Sequence, residues 1–347
     1  MYIQCIMSSS RVKLWYSLTT VGDNSRLWCC HMNRISAALL TIFLFHASSQ
    51  AADKIRIGIP GPAAQFVTFS LAQKKGFFKE EGLEAEIIQM RGNVPMAALL
   101  NGDIDYYTVV GSGIRSALRG LPLRVVACYV PGLPLMLIAR PEFKSVKELK
   151  GKSIGVGAYG ATTDVIARMI FKHFGLDPDK DVKFIAGGEG STRLNAMNQG
   201  LFAATVTSAP GDSQGAKMGF HVLVRAFELF SYPNSGILAH MKKIKEKPDE
   251  VKRVIKAGIK ANRYIRQNRE GTAQVLSEWL KIDNETAVAT YDSIAKAFND
   301  DGSLPESGLR ILIDEAKRDN KITRDVGFNE VADLSILLEA QRELGIK

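Results

Sequence analysis

From Lys54 to about residue 120 the chain alternates strand-like runs with helix-like ones, and after an interruption it alternates again from Ser153 to about residue 225. This doubled series constrains the fold more than any other feature. "KIRIGIP" alternates as a strand, and "GPAAQFVTFSLAQKKGFFKEEGL" repeats its apolar residues at three and four before Gly76 and Gly82. "EAEIIQM" and "YYTVVGSG" follow as strands, with "NVPMAALLNGDID" and "IRSALRG" as helices between and after them. A β-α-β-α-β-α order predicts a mostly parallel sheet covered by helices. "LRVVACYVPG" and "LPLMLIARP" read as two further strands, after which the second series starts with "SIGVGAYG" and "ATTDVIARMIFKHFGL". The remainder is helical, with "PDEVKRVIKAGIKANRYIRQN", "EGTAQVLSEWL", "NETAVATYDSIAKAF" and "EVADLSILLEAQREL" amphipathic and suited to the open face of the first sheet.

The fold class is therefore α/β, with two lobes, each a mostly parallel sheet flanked by helices. Residues 52–140 plus 236–347 form a discontinuous first lobe and 141–235 the second, with connectors near 137–145 and 232–242. Open α/β sheets bind ligands beyond the carboxyl ends of their strands, so two such lobes place a cleft between those ends. A double connector of this kind is a hinge.

The formal charge of +9 raises nucleic-acid binding as a reading, but no block of five or six Lys and Arg occurs. "MKKIKEKPDEVKRVIK" mixes both signs at helical spacing, as a solvated face does, and no nucleic-acid partner is expected. "AALLTIFLF" at 37–45 follows Arg34 and precedes "ASSQAAD", the pattern of a cleavable export signal over residues 32–51. Residues 1–31 have no coherent period and read as an upstream extension from an early start codon. Four of the 45 Lys and Arg and one of the 36 Asp and Glu precede Ala52, so the exported part carries +6. Cys5, Cys29 and Cys30 fall in the same segment. Cys128 alone remains, which rules out an intramolecular disulfide or a thiolate metal cluster in the exported part. The apolar run is too short to span a bilayer, so the mature chain is expected in the periplasm and not in the membrane.

"KSIGVGAYGATTDVIARMIF" holds a G-x-G-x-x-G spacing at Gly155, Gly157 and Gly160. A nucleotide-binding unit would place an acid at the end of the next strand, about twenty residues on. Asp179 and Asp181 stand at that distance but precede "VKFIAGG", and Glu189 comes late. The alternative is a nest of backbone N–H groups at Tyr159, Gly160 and Ala161, with the Thr162 and Thr163 hydroxyls beside it, holding one polar end of a small ligand. A glycine turn that merely packs helix on sheet is the third reading. The other strand-end loops are "PGPAAQF", "RGNVP", "VVGSG", "AGGEGST" and "TSAP", rich in glycine and hydroxyls, with Arg91 and Glu189 as their charges, an inventory that suits a neutral or weakly charged ligand with Phe66 and Tyr159 as walls. His173, His221 and His240 lie away from these loops, and no G-x-S-x-G, H-E-x-x-H or cysteine pair supplies a catalytic or zinc constellation.

"KGFFKEEGLEAEI", "AALLNGDIDYYTVVGSG", "SVKELKGKSIGVGAYGATTDVIARMIFKHFGL", "MNQGLFAATVTSAP" and "KPDEVKRVIKAGIKA" together resemble the type 2 periplasmic solute-binding proteins of ABC transporters, in the NMT1/THI5-like group with the sulfonate, nitrate and taurine receptors. The resemblance spans residues 54–347. It implies a monomeric receptor that takes a small organic molecule or oxyanion into the cleft and delivers it to an ABC permease, without a cofactor, a metal or a catalytic residue. The residues it places at the cleft are Pro62, Ala64, Gln65, Phe66, Gly111, Ser112, Tyr159, Gly160, Ala161, Thr162 and Thr163, to which the strand-end loops add Asn93, Glu189 and Ser208. Asp103 and Asp105 match its G-D-I-D signature in a structural role. An enzymatic branch makes a thiamine pyrimidine with a cysteine-rich iron motif, which one remaining cysteine does not match.

Overall fold

The computed structural model describes residues 52–90 and 94–346. The expected export signal, the upstream extension and Asn93 lie outside the described residues. The chain runs through β1 (Asp53–Ile59), α1 (Val67–Lys74), α2 (Phe77–Glu80), β2 (Leu83–Gln89), α3 (Val94–Asn101), β3 (Tyr106–Val109), α4 (Val110–Leu118) and β4 (Leu123–Val130). It then crosses to β5 (Leu135–Ala139), β6 (Ser153–Val156), α5 (Thr162–His173), β7 (Lys183–Ala186), α6 (Gly190–Asn198), β8 (Ala204–Ser208), α7 (Gly211–Lys217), β9 (His221–Arg225) and α8 (Ala226–Leu229). On its return it forms β10 (Ser235–His240) and the helices α9 (Met241–Glu246), α10 (Pro248–Gln267), α11 (Arg269–Leu280), α12 (Asn284–Ile294), α13 (Glu306–Asn320) and α14 (Ser335–Glu343).

Two separate five-stranded sheets result, ordered β2-β1-β3-β10-β4 and β7-β6-β8-β5-β9. In each, the strand made after a crossing, β10 or β5, runs antiparallel to its neighbours, and the other pairs are parallel. The first sheet is covered on one face by α10, whose buried stripe of Val251, Val254, Ile255, Ile259 and Ile265 packs with Ile55, Ile57 and Tyr129. Pro248 opens that helix at its first turn, where the missing N–H has no intrahelical acceptor to lose. Helices cover the other face too, so the adjacent Tyr106 and Tyr107, on opposite faces of β3, are both buried. Tyr106 donates to Glu250 Oε1 at 2.9 Å.

The first crossing comes earlier than the connector expected at 137–145. Leu135–Ala139 already pairs with β8 and β9, so the chain leaves the first sheet at Pro131–Pro134. The run "LPLMLIA" is apolar throughout and carries no local sign of which sheet will receive it. The return passes through Phe230–Asn234, and the two straps bind one another. Tyr232 N donates to Pro131 O at 2.8 Å, Ser231 Oγ to the same carbonyl at 2.9 Å, and Asn234 N to Val130 O at 2.9 Å.

Candidate functional site

Every parallel strand of the second sheet ends at a turn that opens a helix, so the first N–H groups of several helices gather at one edge. There a cavity of about 470 Å³ is lined by Gly157, Ala158, Ala161 and Thr163 from the turn after β6, by Gly188, Glu189, Gly190 and Arg193 around the start of α6, and by Leu135, Thr207 and Ser208. The starts of α5 and α6 both border it, adding the positive ends of two helix dipoles.

The nest expected at Tyr159, Gly160 and Ala161 is closed from within. Gly160 N donates to Asp164 Oδ2 at 2.8 Å, and Ala161 N donates to Ala158 O at 3.2 Å. Asp164, 3% exposed, is turned inward to do this, and its other oxygen takes Arg168 Nε at 3.0 Å. Gly160, at φ 73°, holds the left-handed conformation the turn requires. Thr163 Oγ1 accepts Gly157 N–H at 2.9 Å, which leaves its own O–H hydrogen to donate. The donors left for a ligand are thus opening amides of α5 and α6 and the hydroxyls of Thr163 and Ser208, since Thr207 Oγ1 donates to Ser208 O at 3.4 Å.

The decisive group is one that the sequence reading passed over. Arg193 is 5% exposed, yet it lines the cavity. Its guanidinium donates to Thr205 Oγ1 at 3.0 Å through Nε, to Val206 O at 2.9 Å through Nη2, and to Gly188 O through Nη1. All three acceptors are neutral. Burial draws its pKa below the ordinary value, with the negative charge of Glu189 opposing that shift. A guanidinium stays protonated in a protein, so the cavity floor carries a positive charge with two N–H groups to spare. Thr205 Oγ1 in turn donates to Gly155 O at 2.7 Å, tying α6, β8 and β6 into one frame. Arg193 shares its buried helix face with Leu194 and Met197, and a charged residue on an apolar stripe is the signal that could have found it.

Of the expected site residues, the structure brings Ala161, Thr163, Glu189 and Ser208 to this cavity. Tyr159, Gly160 and Thr162 lie on the same turn, exposed, with Tyr159 Oη donating to Phe184 O at 3.3 Å. Pro62, Ala64, Gln65, Phe66, Gly111 and Ser112 belong to the first lobe and do not line it. Phe66, at 4% exposed, and Ala64, at 5%, are core residues and not cleft walls. Gly111 and Ser112 sit in the first turn of α4, which begins at Val110 and not after the glycines, because Val110 N is held by Asn234 O at 3.1 Å. The turn 63–66 nevertheless lies at the matching end of the first sheet. It meets α12, which also touches α7 just past Ser208, and Trp279 Nε1 donates to Ala63 O at 3.1 Å.

A larger cavity of about 1030 Å³ lies between α9, the start of α13 and Phe328–Leu334, beside Arg124 where β4 begins. That is the amino end of the strands, where open α/β sheets do not bind their ligands. Among the described residues no group of three or more His, Cys, Asp and Glu could hold a metal ion. No helix among them is long and apolar enough to cross a membrane.

A family model described as NMT1/THI5 like matches residues 63–271. A Brucella abortus protein named as a binding protein is 27% identical over 258 residues, covering 72% of this chain and 79% of its own. Among solved structures, a sulfonate-binding protein SsuA from Methylobacillus flagellatus superposes with a TM-score of 0.67 at 16% identity, covering 86% of this chain and 96% of that one. The nitrate-binding protein NrtA from Synechocystis superposes with a TM-score of 0.60 at 15% identity, covering 84% and 89%.

Proposed function

This chain belongs to the NMT1/THI5 like family, and from that footing we propose that it is the extracytoplasmic solute-binding component of an ABC importer. Its two sheets act as lobes hinged at the Pro131–Pro134 and Phe230–Asn234 straps, closing on a small solute and presenting it to a membrane permease. The relatives named as binding proteins and the fold shared with sulfonate and nitrate receptors support this reading. The chain acts from the periplasm, as a monomer, and releases its solute unaltered.

The observation that carries the ligand chemistry is Arg193, a buried cation with only neutral acceptors at a cavity ringed by helix starts. A solute bearing a compact negative group supplies the missing counter-charge, and its oxygens meet the Thr163 and Ser208 hydroxyls. Glu189, exposed at the rim, accepts a hydrogen bond from a donor elsewhere on the same molecule. Calorimetric titration of the protein with nitrate, a short alkanesulfonate, a carboxylate of equal chain length and a neutral alcohol tests this. At least one anion should bind at one site per chain, and Arg193→Met should weaken it by about a hundredfold, the effect of losing a hydrogen bond to a charged group worth about 3 kcal/mol. Binding of the alcohol alone, unchanged in Arg193→Met, would overturn it. Consumption of the solute on prolonged incubation would point instead to an enzyme on this scaffold.

A further inference from the structure

One carboxylate is buried where the lobes meet, and it faces no cation. Asp212, in the first turn of α7, is 7% exposed, and its Oδ2 accepts the hydroxyl of Ser293 on α12, a helix of the first lobe. No protein donor reaches its Oδ1. The ion pair that joins these two helices, Lys217 Nζ to Glu285 Oε1 at 3.5 Å, lies out in solvent on side chains 66% and 82% exposed. Pairs of that kind add little. At Asp212 the contact between α7 and α12 is therefore polar, desolvated and incompletely matched.

Drawing α12 away would take the Ser293 hydroxyl from Asp212 and open that side of the carboxylate to water. Bringing α12 against it removes hydration from a full charge and returns a single neutral hydroxyl, an exchange that disfavours contact. We propose that Asp212 is a closure brake: it holds the empty protein open, so that the lobes meet only when a solute bound beside Ser208, four residues earlier, supplies the missing free energy. This rests on the receptor reading above, and deepens it. An empty receptor that closes on its own would compete for the permease without cargo, and the populations of the two forms are set by small differences of this kind. A latch would have the opposite sign, with the carboxylate drawing the lobes together.

The sign is measurable without knowing the solute. Small-angle X-ray scattering on the protein, stripped of solutes by dialysis from urea and refolded, reports the spread of the lobes. Asp212→Asn keeps an acceptor for Ser293 but removes the charge, and should raise the closed-to-open ratio of the empty protein by about tenfold or more, seen as a smaller radius of gyration. Asp212→Ser, a second uncharged variant, should shift it in the same direction and serves if the first does not refold. An unchanged or larger radius in a folded variant overturns the brake. The receptor reading fails separately, if no solute binds the wild-type protein in titration whatever the lobes do.

Discussion

Lys243 holds two carboxylates at once, Asp105 Oδ1 at 2.9 Å and Glu250 Oε1 at 2.7 Å, and Glu250 also takes the Tyr106 hydroxyl. Burial pulls the ammonium's pKa down, but its hydrogen bonds to both acids and their charges outweigh that and leave it raised. Replacing Lys243 with Met takes the shared cation from both acids, leaving Glu250 with the Tyr106 hydroxyl alone and Asp105 with Arg56 at 3.8 Å, and should lower unfolding free energy by about 3 kcal/mol at pH 7. Because the folded pKa is raised, this contribution is complete below the unfolded lysine value and fades as pH rises through the folded one. Urea denaturation of both proteins should show a gap that is constant through neutral pH and narrows in strong alkali; a gap that widens there would refute the assignment. The G-D-I-D signature was legible as structural, and Asp105 is so: it also accepts Arg56 N at 2.8 Å. Arg193 stands out in the sequence only as a charge on an apolar stripe, and its place at the site depends on Val206 and Thr205, which reach it through the pairing of the second sheet. The nest was read from glycine spacing, and spacing does not reveal that Asp164 will occupy the amide of Gly160.

Among the elements, periodicity placed α10, α11, α12 and the turn into α5 well, since each is a long amphipathic run with a clear stop. Helix α13 was missed as a separate element, although "ESGLRILIDEAKRDN" places Leu309, Leu312, Ile313 and Ala316 on one buried face. The strand β5 was recognised, but its sheet was not, since strand partnership is decided by tertiary packing and not by local pattern. Close approach is equally invisible in one dimension. Gly258 lies where α10 crosses β4, and a β-carbon there would run into the ring of Tyr129, itself fully buried. Gly258→Ala should therefore destabilise by about 1–3 kcal/mol despite the better helix propensity of alanine. A denaturation midpoint equal to or above wild type would mean that α10 can lift from the sheet without loss.

At the scale of the whole molecule, the doubled β-α series foretold two sheets, and the structure contains two, with the C-terminal helices returned to the first. The cavity is lined by the second lobe alone, and α12 of the first lobe touches both α7 and the turn after β1. That geometry makes function a property of two lobes and a solute together. The most direct measurement is native mass spectrometry of the protein isolated from cells without refolding. The folded chain should carry a small solute with a negative group, lost when the protein is denatured and absent from Arg193→Met. A wild-type chain that flies bare, or carries the same neutral molecule with and without Arg193, would contradict the account.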